Sequence, residues 1–243
     1  PDKSEKQVEE HNAQEFKVSQ HSAETVALRK LGYPVKVTVT KVNDGGPAEK
    51  LLQVGDVITT VDGTAIDSAG RLTELIQAKP AGSVLTLGYT RAGATRSTKI
   101  TTAASGADEP PRIGIEIKPE QSHPFTLAID LDEIGGPSAG LMFTLGIIDK
   151  LQPADLTGGK IIAGTGTIND EGVVGPIGGI PQKLVGARDA KAQLFLVPAA
   201  NCAEALRNAV PGLPMAKVAD VDDALTALRT FAAGGTPAPC TAS

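Results

Sequence analysis

The segment Gly135-Gly136-Pro137-Ser138-Ala139-Gly140 constrains this chain more than any other. Pro137 suits the first position of a helix. The residues that follow, 137–151, carry Leu141, Met142, Phe143, Leu145, Ile147 and Ile148 almost without charge. A helix that is apolar all round is a buried one. The fold must therefore wrap other elements around a helix whose first turn presents a serine. Unpaired N–H groups point outward from such a turn, where they can hold an oxyanion. The small residues on both sides let a substrate backbone come close.

The material for that wrapping is aliphatic. Hydrophobic residues make up 41% of the 243, aromatics 3%, and there is no Trp. Ala, Val, Ile and Leu must build the core, which suits close-packed helices and sheets in one large domain or two modest ones. With 23 basic against 28 acidic residues and a net charge of -5, no cationic footprint for nucleic acid is present. No apolar run reaches the length of a membrane-spanning helix, and no signal peptide is visible. The chain starts at Pro1, which is consistent with an anchor or signal lying upstream. Cys202 and Cys240 read as two free thiols; the alternative is a bridge pinning the Gly/Pro-rich tail to the Cys202 helix, which implies an oxidising compartment.

Along the chain, residues 4–31 are polar and charged, with a capping-box-like Ser4 and Gln7 and a helix stop at Gly32. They read as one or two helices, either a stalk from a membrane or an ordinary packing helix. Residues 35–42 alternate apolar and polar as a half-buried strand does. Asn43-Asp44-Gly45-Gly46 is a turn. Residues 47–52 read as a short helix, 55–63 as a strand ending in an Asp-Gly turn, 68–79 as a helix, and 84–90 and 96–101 as strands. Residues 103–111 read as a linker. Beyond it, 113–118, 125–131, 160–168 and 194–197 read as strands, with Val173-Val174 a possible further one. Residues 181–190, 201–210 and 220–231 read as helices.

A second motif, Pro176-Ile177-Gly178-Gly179-Ile180-Pro181-Gln182-Lys183, puts a lysine in the first turn of a helix. A serine hydroxyl is a weak nucleophile until a base takes its proton, and a desolvated lysine can be that base. Few charges lie near Lys183 in sequence, so burial is expected to lower its pKa toward the range useful for a base. A histidine base fits less well. Gly136 to Gly140 has the form of a hydrolase nucleophile elbow, which needs a histidine downstream. His11, His21 and His123 all lie upstream; His123 is the sole contender for a His-first order and reads as a loop residue. Three scattered histidines and two distant cysteines give no metal site, and no phosphate-binding Gly-x-x-x-x-Gly-Lys-Ser/Thr loop occurs.

Gly46-Pro47-Ala48 with Leu51, Leu52, Gly55-Asp56-Val57-Ile58 and Val61-Asp62-Gly63 resembles a PDZ domain over residues 33–102. The resemblance implies a peptide groove between strand 35–42 and helix 68–79, where an extended peptide adds as a strand. Leu31-Gly32-Tyr33-Pro34, with Val35, takes the place of the carboxylate-binding loop, although it departs from the usual Gly-Leu-Gly-Phe type. From about Arg112 to Phe231 the chain resembles the proteolytic domain of Lon proteases, through Gly136-Pro137-Ser138-Ala139-Gly140, Gly164-Thr165-Gly166-Thr167-Ile168, Gly172-Val173-Val174-Gly175-Pro176-Ile177-Gly178-Gly179-Ile180, Lys183-Leu184 and Leu196-Val197-Pro198-Ala199-Ala200-Asn201. By that resemblance Ser138 is the nucleophile and Lys183 the general base. Thr165 matches a threonine that hydrogen-bonds near the lysine. The acidic residue usually found three positions before the serine is replaced by Gly135.

The expected fold is α/β (α+β): an N-terminal helical segment (1–32), a small β-rich PDZ domain (33–102), a linker (103–111), a Lon-type proteolytic domain with a mixed sheet and flanking helices (112–232), and a flexible tail (233–243). The expected activity is serine endopeptidase action by a Ser138–Lys183 dyad, with Thr165 in support. Gly135, Gly136 and Ala139 would supply the oxyanion hole. Ile129, Asp130, Leu131, Asp132, Glu133 and Ile134 would form the strand that receives substrate. The resemblance is to ATP-independent, membrane-anchored bacterial PDZ–Lon proteases. It implies polypeptide substrates, a PDZ peptide ligand, a homo-oligomer, an extracytoplasmic soluble part, and no cofactor, metal or nucleic acid. A silent PDZ-containing scaffold and a carboxy-terminal processing peptidase are the alternatives.

Overall fold

A computed structural model describes residues 5–104, 106, 109–124 and 136–241, the side chains of 5–13 excepted. The chain divides into two units: Tyr33–Pro124, and Pro1–Gly32 together with Phe125–Ser243. The smaller unit is thus inserted into the sequence of the larger one.

In the smaller unit, β1 (Val35–Val42) carries the alternation expected of it, with Val37 and Val39 buried and Lys36 exposed. It pairs antiparallel with β2 (Val57–Val61), which also carries the short β3 (Thr64–Ala65). Helix α2 (Ala69–Gln77) begins at Ser68, whose hydroxyl accepts from the N–H of Arg71 at 3.0 Å. Its Leu72 and Ile76, one turn apart, enter a core with Ile58, Leu85, Leu87 and Ile100. Strands β4 (Val84–Arg91) and β5 (Ala94–Thr101) form a hairpin around Ala92-Gly93.

Strand β6 (Ile115–Gln121) completes the sheet in the order β5-β4-β2-β1-β6. It pairs along the whole of β1, from Val35 opposite Gln121 to Val42 opposite Ile115. This moves the expected boundaries. Residues 103–111 are not an interdomain linker but the connection from β5 to β6, closed by the antiparallel bridge of Ala103 with Arg112. The larger unit resumes after Pro124 rather than at Arg112. The physical reason is that β1 has two edges, and its second row of backbone groups needs a partner. Residues 47–52 form turns rather than a helix, with Lys50 at φ 65°.

The carboxylate of Asp56 is almost wholly buried, 1% exposed, and is held at 2.7 Å by both Nε and Nη2 of Arg91 and at 2.8 Å by the N–H of Gln53. Burial opposes its ionisation. The hydrogen bonds from Arg91 and Gln53, with the Arg91 charge, outweigh that and hold its pKa below the usual carboxylate value. A folded pKa below the unfolded one gives stability that is complete above about pH 4 and lost as pH falls through the folded value. Asp56→Asn is expected to lower the stability of this unit by about 2–3 kcal/mol at neutral pH, and by less in acid. A urea titration at two pH values checks this, and equal losses at both would contradict it.

The larger unit is built around α1 (Glu5–Lys30), one continuous helix, and α3 (Gly140–Leu151). Ser19, Ser22, Ala23, Val26 and Ala27 of α1 are buried at helical spacing. Phe16 meets Phe143 edge to face with centroids 5.8 Å apart. The Ser22 hydroxyl donates to Asp170 at 2.6 Å, and Lys30 pairs with Asp222 at 2.7 Å. Helix α1 is therefore a packing element of this unit and not a separate segment. Beside α3, β7 (Ile162–Gly164), β10 (Leu194–Pro198) and β11 (Met215–Val218) form a parallel sheet in the order β11-β10-β7. In place of one mixed sheet, β8 (Thr167–Ile168) and β9 (Val174–Gly175) make a separate antiparallel pair among the described residues.

Helices α4 (Ile180–Asp189), α5 (Cys202–Arg207) and α6 (Val221–Ala232) flank these strands. Asp220 caps α6 by accepting from the N–H of Asp223 at 2.8 Å. The two cysteines form the Cys202–Cys240 disulfide, not free thiols. The tail is correspondingly tied down as far as Cys240: the N–H of Lys217 donates to Ala238 O at 2.9 Å, and Ala216 bridges Pro239. Burying two small cysteines among Ile180, Leu184, Phe195 and Leu213 sets the sulfurs together in an apolar cluster.

Candidate active site

Gly136 stands at φ 93°, ψ 159°, a conformation that only glycine adopts without strain. A single 3₁₀ turn, Pro137–Ala139, follows and leads into α3. Both peptide units flanking Ser138 are pinned through their carbonyl oxygens. Pro137 O accepts from the Ser19 hydroxyl at 3.0 Å. Ser138 O accepts from the N–H of Gly166 and the hydroxyl of Thr165, each at 2.9 Å. Gly140 allows the close approach: a Cβ there would lie 2.6 Å from Ser19 Oγ and 2.8 Å from Ile168 Cγ2.

Lys183 is carried by α4. That helix starts at Gly179 in the left-handed region, φ 75°, with Pro181 in its first turn. Ile180 and Leu184, one turn apart, are fully buried and fix the helix rotation. The preceding loop is clamped by Asn201, whose side chain accepts from the N–H of Ile177 at 3.0 Å and donates to its carbonyl at 2.9 Å. The result is that Lys183 Nζ lies 3.2 Å from Ser138 Oγ, both side chains half-buried.

Thr165 is 1% exposed, and its hydroxyl goes to Ser138 O. The expectation that it bonds near the lysine becomes, in the structure, a hold on the carbonyl of Ser138. Gly136 precedes the turn and Ala139 ends it, whereas Gly135 and the strand residues Ile129, Asp130, Leu131, Asp132, Glu133 and Ile134 lie outside the described residues. Residues of α1 (Gln14, Val18 and Ser19) line a mainly apolar pocket of about 360 Å³ with Pro137, Thr167 and Ile168. Among the described residues no cluster of His, Cys, Asp and Glu is arranged to hold a metal.

The groove of the smaller unit is not where the sequence put it. Leu31 and Gly32 close α1, through the N–H of Leu31 to Ala27 O and of Gly32 to Arg29 O. Tyr33, Pro34 and Val35 enter β1, which is flanked by β2 and β6 and has no edge to offer. The groove, about 320 Å³, instead runs between α2 (Leu72, Thr73, Ile76) and the segment Ile113-Gly114-Ile115 with Ile117 of β6. Ile113 O and Gly114 O accept from the N–H groups of Ala48 and Asn43, both at 2.9 Å, so the Gly46-Pro47-Ala48 turn seats this loop. Ser19 and Asn201 hold the site together without having been singled out for these roles by the sequence. Asn201 stood within a motif, while Ser19 carried no signal.

The sequence model of the PDZ domain family matches residues 7–102, and that of the Lon protease (S16) C-terminal proteolytic domain matches residues 132–228. Among solved structures, the PDZ domain of an SdrC-like protein from Listeria monocytogenes is 31% identical, with 33% of this chain and 85% of that chain covered and a TM-score of 0.32. The PDZ domain of an SdrC-like protein from Listeria innocua is 28% identical, with 34% and 92% covered and a TM-score of 0.32. No curated protein matches the chain. The glycine turns that seat residues 113–114 belong to the PDZ match and the Ser138 and Lys183 helices to the Lon match, so the chain belongs with the PDZ-containing Lon-like proteases.

Proposed function

We propose that the protein is an ATP-independent serine endopeptidase that cuts unfolded or flexible polypeptides with a Ser138–Lys183 dyad. The observation that carries this is the 3.2 Å approach of Lys183 Nζ to Ser138 Oγ across two helix starts. In this reading the neutral amine of Lys183 accepts the Ser138 proton as Oγ attacks the scissile carbonyl. The oxyanion settles on N–H groups of the turn that begins α3, with that of Ser138 foremost. Protonated Lys183 then returns its proton to the leaving amine, releasing the first product and leaving an ester on Ser138. Water, deprotonated by Lys183, hydrolyses that ester.

The groove between α2 and β6 would take an extended peptide along the edge of β6 that pairs with no strand among the described residues, recruiting substrates or gating the site. The Cys202–Cys240 disulfide supports an extracytoplasmic setting. Attachment to a membrane through a hydrophobic anchor and assembly into a homo-oligomer belong to the same reading. Among the described residues, no helix is long and apolar enough to cross a membrane.

Casein digestion without nucleotide tests the reading, with mass spectrometry of the fragments. Cuts at internal sites are expected, and trimming confined to carboxyl ends would favour a processing peptidase instead.

A further inference from the structure

We propose that Ser19, on the helix that precedes the inserted unit Tyr33–Pro124, is a positioning residue for the nucleophile; this rests on the Ser138–Lys183 reading. Ser19 lies outside the residues that match the Lon proteolytic domain and within those that match the PDZ model. It is 3% exposed in the middle of α1. A serine so placed ordinarily turns its hydroxyl back to a carbonyl of its own helix. Ser19 instead donates to Pro137 O at 3.0 Å, 118 positions along the chain.

The peptide joining Pro137 to Ser138 is planar, and in a trans peptide the C=O and N–H point in opposite directions. Pro137 O accepts from the N–H of Gly140 within its own turn and from Ser19 across to α1, and the second bond adds to the first in aiming the N–H of Ser138 away from α1. That N–H sits in the first turn of its helix and has no intrahelical acceptor, which leaves it available to an oxyanion. If this peptide turned over, it would present a carbonyl oxygen in place of the donor. The second pin, from Thr165 and Gly166 to Ser138 O, holds the following peptide. Between them the two pins fix both sides of the nucleophile's Cα. Gly140 belongs to the same arrangement, since any larger residue would put a Cβ against Ser19 Oγ.

The test uses the full chain with a peptide substrate and a peptide boronate that forms a tetrahedral adduct on the serine. Ser19→Ala and Ser19→Cys remove or weaken the donor, and Ser19→Thr keeps it. For both donor-poor variants we expect kcat to fall about tenfold or more, KM to stay within about twofold, and boronate affinity to fall in step with kcat; Ser19→Thr should stay near the parent. Parental kcat in either donor-poor variant overturns the proposal. So does a loss that merely tracks the folded fraction seen by circular dichroism, or a rise in KM alone. Ser138→Ala run in parallel separates the two layers: activity there would sink the dyad reading itself, whereas an inactive Ser138→Ala beside a fully active Ser19→Ala would sink only the role of Ser19.

Discussion

Ser138→Ala and Lys183→Ala are each expected to lower casein cleavage by about 10³-fold or more, because nucleophile and base act as one unit. The double variant should be scarcely worse than either single one, since removing one member already idles the other. Lys183→Arg should be as inactive as Lys183→Ala: a guanidinium keeps its charge at any working pH and cannot accept the serine proton. None of these changes should unfold the protein. Both side chains are half-buried and meet at 3.2 Å, and the anchors of α4 are Ile180 and Leu184. Activity assays alongside thermal unfolding check the set. Cleavage near the parental rate in either alanine variant would remove the dyad.

Reduction of the Cys202–Cys240 disulfide, or Cys240→Ser, is expected to lower the stability of the larger unit by about 2–4 kcal/mol. The bridge closes a loop with a sequence separation of 38 residues, and opening it restores chain entropy to the unfolded state. For a unit of this size that corresponds to a fall in the unfolding temperature of roughly 5–15 °C. The effect should reach the active site. Cys202 and Cys240 pack in one cluster with Ile180, Leu184 and Ala187 of α4, the helix that carries Lys183. Loss of activity on warming should therefore come earlier under reducing conditions. Unchanged unfolding temperatures with and without reductant would contradict this.

Much of the catalytic half was legible because its signals are local. Pro and Gly punctuate the starts of α3 and α4, and uninterrupted apolar residues mark α3 as buried. What the sequence hid depends on partners far along the chain. Helix α1 read as polar because its buried stripe is mostly Ser and Ala, whose small side chains register weakly in any hydrophobic pattern; Val26 is its one larger aliphatic residue among those facing the α3 core. Strand β6 follows a Pro-containing, polar stretch that looks like an interdomain connection. Its pairing with β1 is fixed by an edge that only the folded sheet reveals. The cavity lies beside β6 rather than β1 because β6 takes the place next to α2. Thr165 was found by its motif, but which carbonyl its hydroxyl meets is decided by the packing of β7 and α3. The disulfide joins a helix to a tail with no spacing rule to announce it.

The most direct measurement is intact-protein mass spectrometry after incubation with a serine-acylating inhibitor, followed by peptide mapping. The account predicts one adduct, located on Ser138 and absent from both Ser138→Ala and Lys183→Ala. An adduct on another residue, or labelling of Ser138 at the parental rate in Lys183→Ala, would contradict it.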